Sequence, residues 1–349
     1  MDRKTILRKY VTKEQAGIEI GPWFSPITAK RDGFNCLSMD VFDTQTLRER
    51  AAADPNITSP LTDIEDVDLV GSSTELEQVV GETHPLGSFD YVISSHNFEH
   101  LPNPIRFLQA CTRVLKPGGF VSMAIPDHRM CFDHYRSPTR LADWLDAHIS
   151  NHDRPSPVQA FDQFAFFAEY VEGDTRGGSL PRSWLAENVV GTAQLRETYA
   201  DLLRRCDSDN REYIDVHCSA MTPASFELLI ADCIHLGLLS LEIVEIAAFE
   251  REFHAHLRVT RRRNDLDGET YRPIRDRLLR RAKDEEATIS DQFRAVVAER
   301  DSLHSNSERL VEAVRLLEAE VRDLRNSHSW KATMPLRWLS SALRKAGPG

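Results

Sequence analysis

The chain has 349 residues, of which 41% are hydrophobic and 28% charged, the balance of a globular protein large enough for one sizeable core plus a further element. A net charge of −11 argues against generic nucleic-acid binding. The six cysteines (Cys36, Cys111, Cys131, Cys206, Cys218 and Cys233) are scattered, with no C-x-x-C pair to mark a zinc site or a disulfide framework, so reduced thiols and a cytoplasmic setting are expected.

The opening MDRKTILRKYVTKEQ is basic but lacks the apolar stretch of a signal peptide, and no run of about 18 apolar residues follows anywhere. Residues 1–140 alternate short apolar runs with amphipathic segments. Strands are expected at Gly17–Ile20, Phe34–Met39, Val67–Val70, Tyr91–Ser94 and Phe120–Ile125, with helices at 44–52, 74–80 and 102–115 between them. That alternation predicts a Rossmann-like α/β fold, a doubly wound and mostly parallel sheet covered on both faces. Lys116-Pro-Gly-Gly119 stands where a helix stops and a strand begins.

Residues 141–263 read as a lid or acceptor region and the last strands of the same domain. Phe161–Tyr170 and Trp184–Arg205 look helical, with a loop at Gly173–Pro181 between them. Thr222-Pro-Ala-Ser225 opens a helix that runs to about His235 and stops at Gly237. Strands at Leu238–Ala248 and His254–Val259 then form a hairpin on one sheet edge.

Residues 264–326 predict a long helix. Ile289, Val296, Leu303, Leu310, Leu317 and Leu324 recur every seven residues, and Phe293, Arg300, Ser307, Val314 and Val321 follow each by four. This heptad pattern predicts a coiled coil and a homodimer, weakened by Arg300 and Ser307; the competing reading is a helix packed on its own domain. Residues 327–349 mix Trp330 and Trp338 with bases, a composition suited to a membrane surface, a protein groove or disorder.

The chemistry concentrates in the first zone. A strand, a glycine turn (Glu19-Ile-Gly-Pro22) and Asp40 twenty-one residues after Glu19 form a device for holding an adenosine-containing cofactor. The glycine lets the backbone approach the ligand, and the acid accepts hydrogen bonds from ribose hydroxyls.

These residues, with FDYVISSHNFEHLPNP at 89–104, RVLKPGGF at 113–120 and IPDHRMCFDH at 125–134, resemble a class I S-adenosylmethionine-dependent methyltransferase. The resemblance covers about 17–260 and is greatest to the methyltransferase-domain proteins found among bacterial surface-polysaccharide genes. It implies S-adenosyl-L-methionine as cofactor. Glu19, Gly21 and Pro22 match the cofactor loop, Asp40 the ribose acid, and Asp68 the position that meets the adenine amino group, with Asp66 a rival one register away. Ser95 and His96 follow the fourth strand, near the reactive methyl. Trp23 and Ser25 stand where the commoner pattern has glycines, so an indole either narrows the site or points outward.

Methyl transfer to a sugar hydroxyl needs alignment and a general base. His96 and His128 are the candidate bases, because histidine titrates near neutral pH. Asp127 orients one of them or acts itself; it is equally suited to cap the turn after its strand. Glu99 and His100 open a helix, where packing or capping is the plainer role, and Arg129, Asp133, His134 and Arg136 read equally well as a solvated ion-pair loop. No cluster assigns a metal.

The segment SHSWKATMPLRW resembles the ending seen on bacterial polysaccharide glycosyltransferases and associated enzymes, with Lys331 in place of the usual arginine. It implies glycan assembly at the inner membrane face. The expected function is O-methylation of a surface-polysaccharide sugar or its lipid-linked precursor, with glycosyltransferases or the membrane face as partners of the tail. The alternatives are a small metabolite or lipid as acceptor, and a non-catalytic scaffold acting through its coil.

Overall fold

The computed structural model describes residues 2–181, 184, 186–207, 214–261 and 266–337. The chain divides into two units, Met1–Ala287 and Thr288–Gly349.

A short helix, α1 (Arg3–Leu7), is capped by Asp2, whose carboxylate accepts from the Thr5 N–H at 2.8 Å. Then come β1 (Gly17–Ile20), β2 (Cys36–Asp40), α2 (Thr44–Ala53), β3 (Leu69–Val70), α3 (Leu76–Gly81), β4 (Phe89–Ser95), α4 (Pro104–Val114) and β5 (Leu115–Pro126). These strands pair in parallel. Gly17 shows why β1 starts on a glycine: a Cβ there would lie 1.9 Å from the Tyr91 ring on neighbouring β4. The expected turn at 116–119 lies inside the bounds of β5. Phe89 pairs with Leu115 and Tyr91 with Phe120, so the ladder skips those four residues.

The middle region holds α5 (Leu141–Ile149), α6 (Pro157–Ala165), β6 (Ala168–Glu172), β7 (Thr175–Gly177), β8 (Val189–Gly191) and α7 (Leu195–Arg205). Here the structure corrects the sequence reading. The helix expected through Tyr170 ends at Ala165, and residues 168–172 are the centre of a three-stranded antiparallel sheet ordered β7-β6-β8. Residues 189–191, expected as helix, are its edge strand. Tyr170, Leu180 and Val189 make a small buried cluster on this sheet, and bulky β-formers on a shared face outweigh local helix propensity.

Helix α8 (Pro223–His235) opens on a Thr222–Ser225 capping box, then β9 (Leu241–Phe249) and β10 (Glu252–Val259) close the main sheet as an antiparallel hairpin. The seven strands run β3-β2-β1-β4-β5-β10-β9. The first five follow the doubly wound order, so the switch point falls between β1 and β4, where such sheets open a crevice past the strand ends. Phe98 anchors the core, edge-on to Phe107, Trp144 and Phe226 at 5.6–6.1 Å.

Helix α9 spans Gly268–Asn326, followed by α10 (His328–Ala332). Within the first unit, its opening turns pair with α8: Arg275 Nε and the Tyr271 hydroxyl both donate to buried Asp232, at 2.8 and 2.7 Å. In the second unit, Leu303, Leu310, Leu317, Leu324, Val314 and Val321 are all exposed. The side chains of Ile289, Phe293, Val296 and Arg300 lie outside the described set, as do Trp338 and all later residues. Among the described residues no helix is long and apolar enough to cross a membrane.

Candidate active site

Two cavities meet at Gly21 and His96 in the crevice at the switch point. The first, about 520 Å³, is walled by Gly21, Asp40, Arg50, Gly71, Ser73, Asn97, His100 and Asp215 among others. The second, about 600 Å³, is walled by Glu19, Pro22, Trp23, Ser95 and the α1 residues Arg3 and Lys4, with others.

Gly21 ends β1 at φ +58°, in the left-handed region that favours glycine, and its N–H donates to Met39 O at 2.8 Å. The position of a Cβ there has no neighbour within 4 Å, so the turn leaves open space beside the backbone. Glu19 braces this turn from below. Its buried carboxylate accepts from the Ile27 N–H at 2.5 Å and from the Thr28 N–H and hydroxyl at 2.7 Å each. Burial pushes the Glu19 carboxyl up, and those three donors pull it partway back.

Asp40 tips β2 and accepts from the Phe42 N–H at 3.1 Å. Burial raises its carboxyl above the ordinary range, opposed by the Phe42 and Val41 N–H groups. Its carboxylate walls the cavity beside Gly21, as a pair of ribose hydroxyls requires. Trp23 is also left-handed, at φ +44°; its ring meets Phe24 edge-on at 4.9 Å and packs on the Leu47, Ala51 and Ile64 cluster. The indole borders the second cavity and leaves the Asp40 cavity clear.

Other expected residues sit elsewhere. Asp68 precedes β3 rather than following it, which puts it at the wrong strand end. It accepts from the Ser38 N–H at 2.8 Å and pairs with Lys30. Asp66 pairs with Arg48 at 3.1 Å. Gly71 and Ser73, just past β3, occupy the wall instead. His128 is buried with Nε2 2.9 Å from Glu286 of α9, and Asp127 caps its turn while chelating Arg129 at 2.8 and 2.5 Å. Neither borders the two cavities.

His96 does face both. At φ +50° its ring reaches Glu252 Oε2 (2.8 Å) and Glu99 Oε1 (3.5 Å), while Glu252 also takes a fork from Arg3 at 2.8 and 2.6 Å. Burial alone would lower the His96 pKa, but the two carboxylates win and push it up to about 9. The two carboxylates thus favour the charged form of the ring.

Sequence spacing did not assemble a second group. Glu99 and His100 form a 3-10 turn after β4, and His217 arrives from the strand-free segment before α8. Glu99 is 1% exposed, and Oε2 meets no hydrogen-bond partner among the described residues. Burial opposes its charge, but His96, His100 and His217 together hold the carboxyl below its ordinary range.

Strand order, the glycine turn and an acid at the tip of β2 make a Rossmann-like crevice of the kind that holds a nucleoside cofactor. Residues 28–123 match the family described as "Methyltransferase domain". A ubiquinone biosynthesis O-methyltransferase of Colwellia psychrerythraea is 25% identical over 103 residues, which are 22% of this chain and 42% of that protein. The chain thus spans less than half the length of this curated relative. A SAM-dependent methyltransferase from Methanosarcina mazei is similar in structure, with a TM-score of 0.38, 15% identity and coverage of 74% of this chain and 99% of that one. One from Aquifex aeolicus gives 0.36, 10%, 74% and 90%.

Proposed function

We propose that this protein transfers the methyl group of S-adenosylmethionine to a hydroxyl oxygen of a bacterial surface-glycan sugar or its lipid-linked precursor. The observation that carries the reading is the joined pair of cavities. Asp40 and Gly21 line the end suited to the ribose, and a polar wall of His96, Asn97, His100 and Asp215 faces them. The cofactor would supply a methyl already activated by its sulfonium, so the chain's own task is alignment. Asp40 would hold the ribose hydroxyls, the Gly21 turn would admit the ligand against the backbone, and Lys4 of α1 offers a cation toward an amino-acid carboxylate.

The sugar assignment rests on the resemblance of residues 327–338 to endings of polysaccharide enzymes, and on the exposed Leu303–Leu324 stripe, which suits self-association near a polymer end. A small-molecule hydroxyl is the second reading, favoured by the ubiquinone-pathway relative. The scaffold reading needs Trp23 to block the cofactor site; the indole borders the second cavity and does not line the Asp40 cavity, which supports the enzymatic reading.

Incubation of the full chain with methyl-labelled S-adenosylmethionine and either a lipid-linked oligosaccharide fraction or a panel of phenolic metabolites tests this. Label in the glycan fraction supports the proposal. Label only in the small molecules, or no binding of the cofactor in calorimetry, overturns it.

A further inference from the structure

Glu99, His100 and His217 meet behind the wall of the first cavity, which His100 lines, in an arrangement that methyl transfer by alignment alone does not use. Glu99 Oε1 lies 3.8 Å from His100 Nε2 and 4.0 Å from His217 Nε2. The three donor atoms all fall within 4.8 Å of one another. With two sides near 4 Å and the third no longer than 4.8 Å, the point equidistant from the three atoms lies at most about 2.5 Å from each, within small side-chain adjustment of the usual 2.0–2.2 Å of a zinc–nitrogen or zinc–oxygen bond.

The groups behind the triangle carry the argument further. Both imidazoles turn Nε2 toward Glu99, and His217 has its Nδ1 hydrogen-bonded to a carboxylate, while His100 Nδ1 lies close to one without a hydrogen bond. His100 Nδ1 sits 2.9 Å from Asp215, and His217 Nδ1 sits 2.5 Å from Asp133. Asp133 is fixed in turn by Arg136 at 2.8 Å. On His217 that carboxylate selects the tautomer whose near nitrogen is a lone-pair donor, as metal-ligating histidines require. The other oxygen of the same carboxylate, Glu99 Oε2, is buried with no hydrogen-bond partner among the described residues, so the carboxylate keeps acceptor capacity for a cation. His100 and Asp215 also border the cavity that holds Gly21 and Asp40, so the triangle adjoins that cavity through His100.

We propose that Glu99, His100 and His217 bind a divalent first-row transition ion. Two imidazoles and one carboxylate suit zinc, manganese or iron rather than the all-oxygen shells of magnesium and calcium. An acceptor hydroxyl reaching the ion from the cavity side has its pKa lowered. The acceptor O–H then gives up its proton to solvent. The new O–C bond forms as the methyl's C–S bond breaks, and sulfur keeps that electron pair. This catalytic role rests on the proposed methyl transfer, whereas the binding itself does not.

The full chain, stripped with a chelator and dialysed, is titrated with Zn²⁺ and with Mn²⁺ in the absence of S-adenosylmethionine. One ion per chain is expected, bound with release of protons. Glu99→Gln and His217→Gln should each weaken it at least about 100-fold, and Asp215→Asn about tenfold, the usual effect of losing a group behind a ligand. The Asp215 side chain is 72% exposed, so that variant keeps the fold even where the buried ones do not. Cobalt loading gives an independent readout: visible bands without a thiolate charge-transfer band fit this ligand set.

No stoichiometric ion at micromolar concentration overturns the proposal and leaves the triad as a buried carboxylate packed between two imidazoles. So does a thiolate band lost in Cys131→Ser, which would move the ion to the neighbouring Cys131, Asp133 and His217 group. Cofactor binding without metal binding sinks only this inference, and metal binding without cofactor binding sinks only the methyl-transfer reading.

Discussion

Replacing Glu19 by Gln probes the brace beneath the cofactor turn. Oε2 serves two donors on Thr28 and Oε1 serves the Ile27 N–H. The best glutamine rotamer keeps oxygen at the Thr28 side and sets its NH₂ against the Ile27 N–H. Two buried donors then face each other unsatisfied, at about 1–3 kcal/mol each. Glutamine also relieves the cost of burying a charge, which already pushes the Glu19 carboxyl up. The net expectation is a loss of about 2–4 kcal/mol, or a urea midpoint roughly 1 M lower at a slope near 3 kcal/mol/M. Equilibrium urea unfolding measures the midpoint, and calorimetry with S-adenosylmethionine should show weaker binding as the Gly21 turn loosens. A midpoint within 0.2 M of the parent, taken here as about the error of the measurement, would refute the view that these hydrogen bonds outweigh the burial they demand.

Asp40→Ala should weaken S-adenosylmethionine binding by about tenfold or more, the scale of a lost hydrogen bond to a charged group; unchanged calorimetric affinity would take Asp40 out of the site. Burial pushes His256 down to about 4 from its ordinary 6.5. The unfolded chain therefore binds that proton first as pH falls, and stability rises with pH from 4 to 6.5. The span is worth about 3 kcal/mol, and His256→Gln should flatten the slope seen in unfolding at stepped pH. Leu310→Asp should convert a dimer to a monomer in sedimentation, since it places charge in the exposed stripe; the same mass before and after would free the helix of that role.

Much of the cofactor half was legible because its chemistry is local. Gly17–Ile20 alternates into a turn that only glycine enters easily, and Asp40 ends the next apolar run, so strand, turn and acid appear within two dozen residues. Asp68 misled because β3 is two residues long, too short for its apolar run to mark which end an acid occupies. The Glu99–His100–His217 group was invisible for a different reason. Its members lie 118 residues apart, and only the path of the chain from α7 to α8 brings them together. His96 was visible as a residue but its carboxylate partner was not, because Glu252 approaches it from 156 positions away. In the middle region, aromatic and β-branched residues fit either a helix face or a strand, and only the partner strands at 175–177 and 189–191 decide.

The opening turns of α9 bear on where the chain can be cut. A boundary at residue 264, drawn from heptad spacing, would strip Tyr271 and Arg275 from buried Asp232, Glu286 from His128, and Glu285 from the Ala224 N–H at the head of α8. A fragment ending there exposes an orphaned acid and a bare helix cap, and its failure to express would say nothing about the rod. One ending just after Ala287 carries its own buttress, and is the shorter piece worth crystallising.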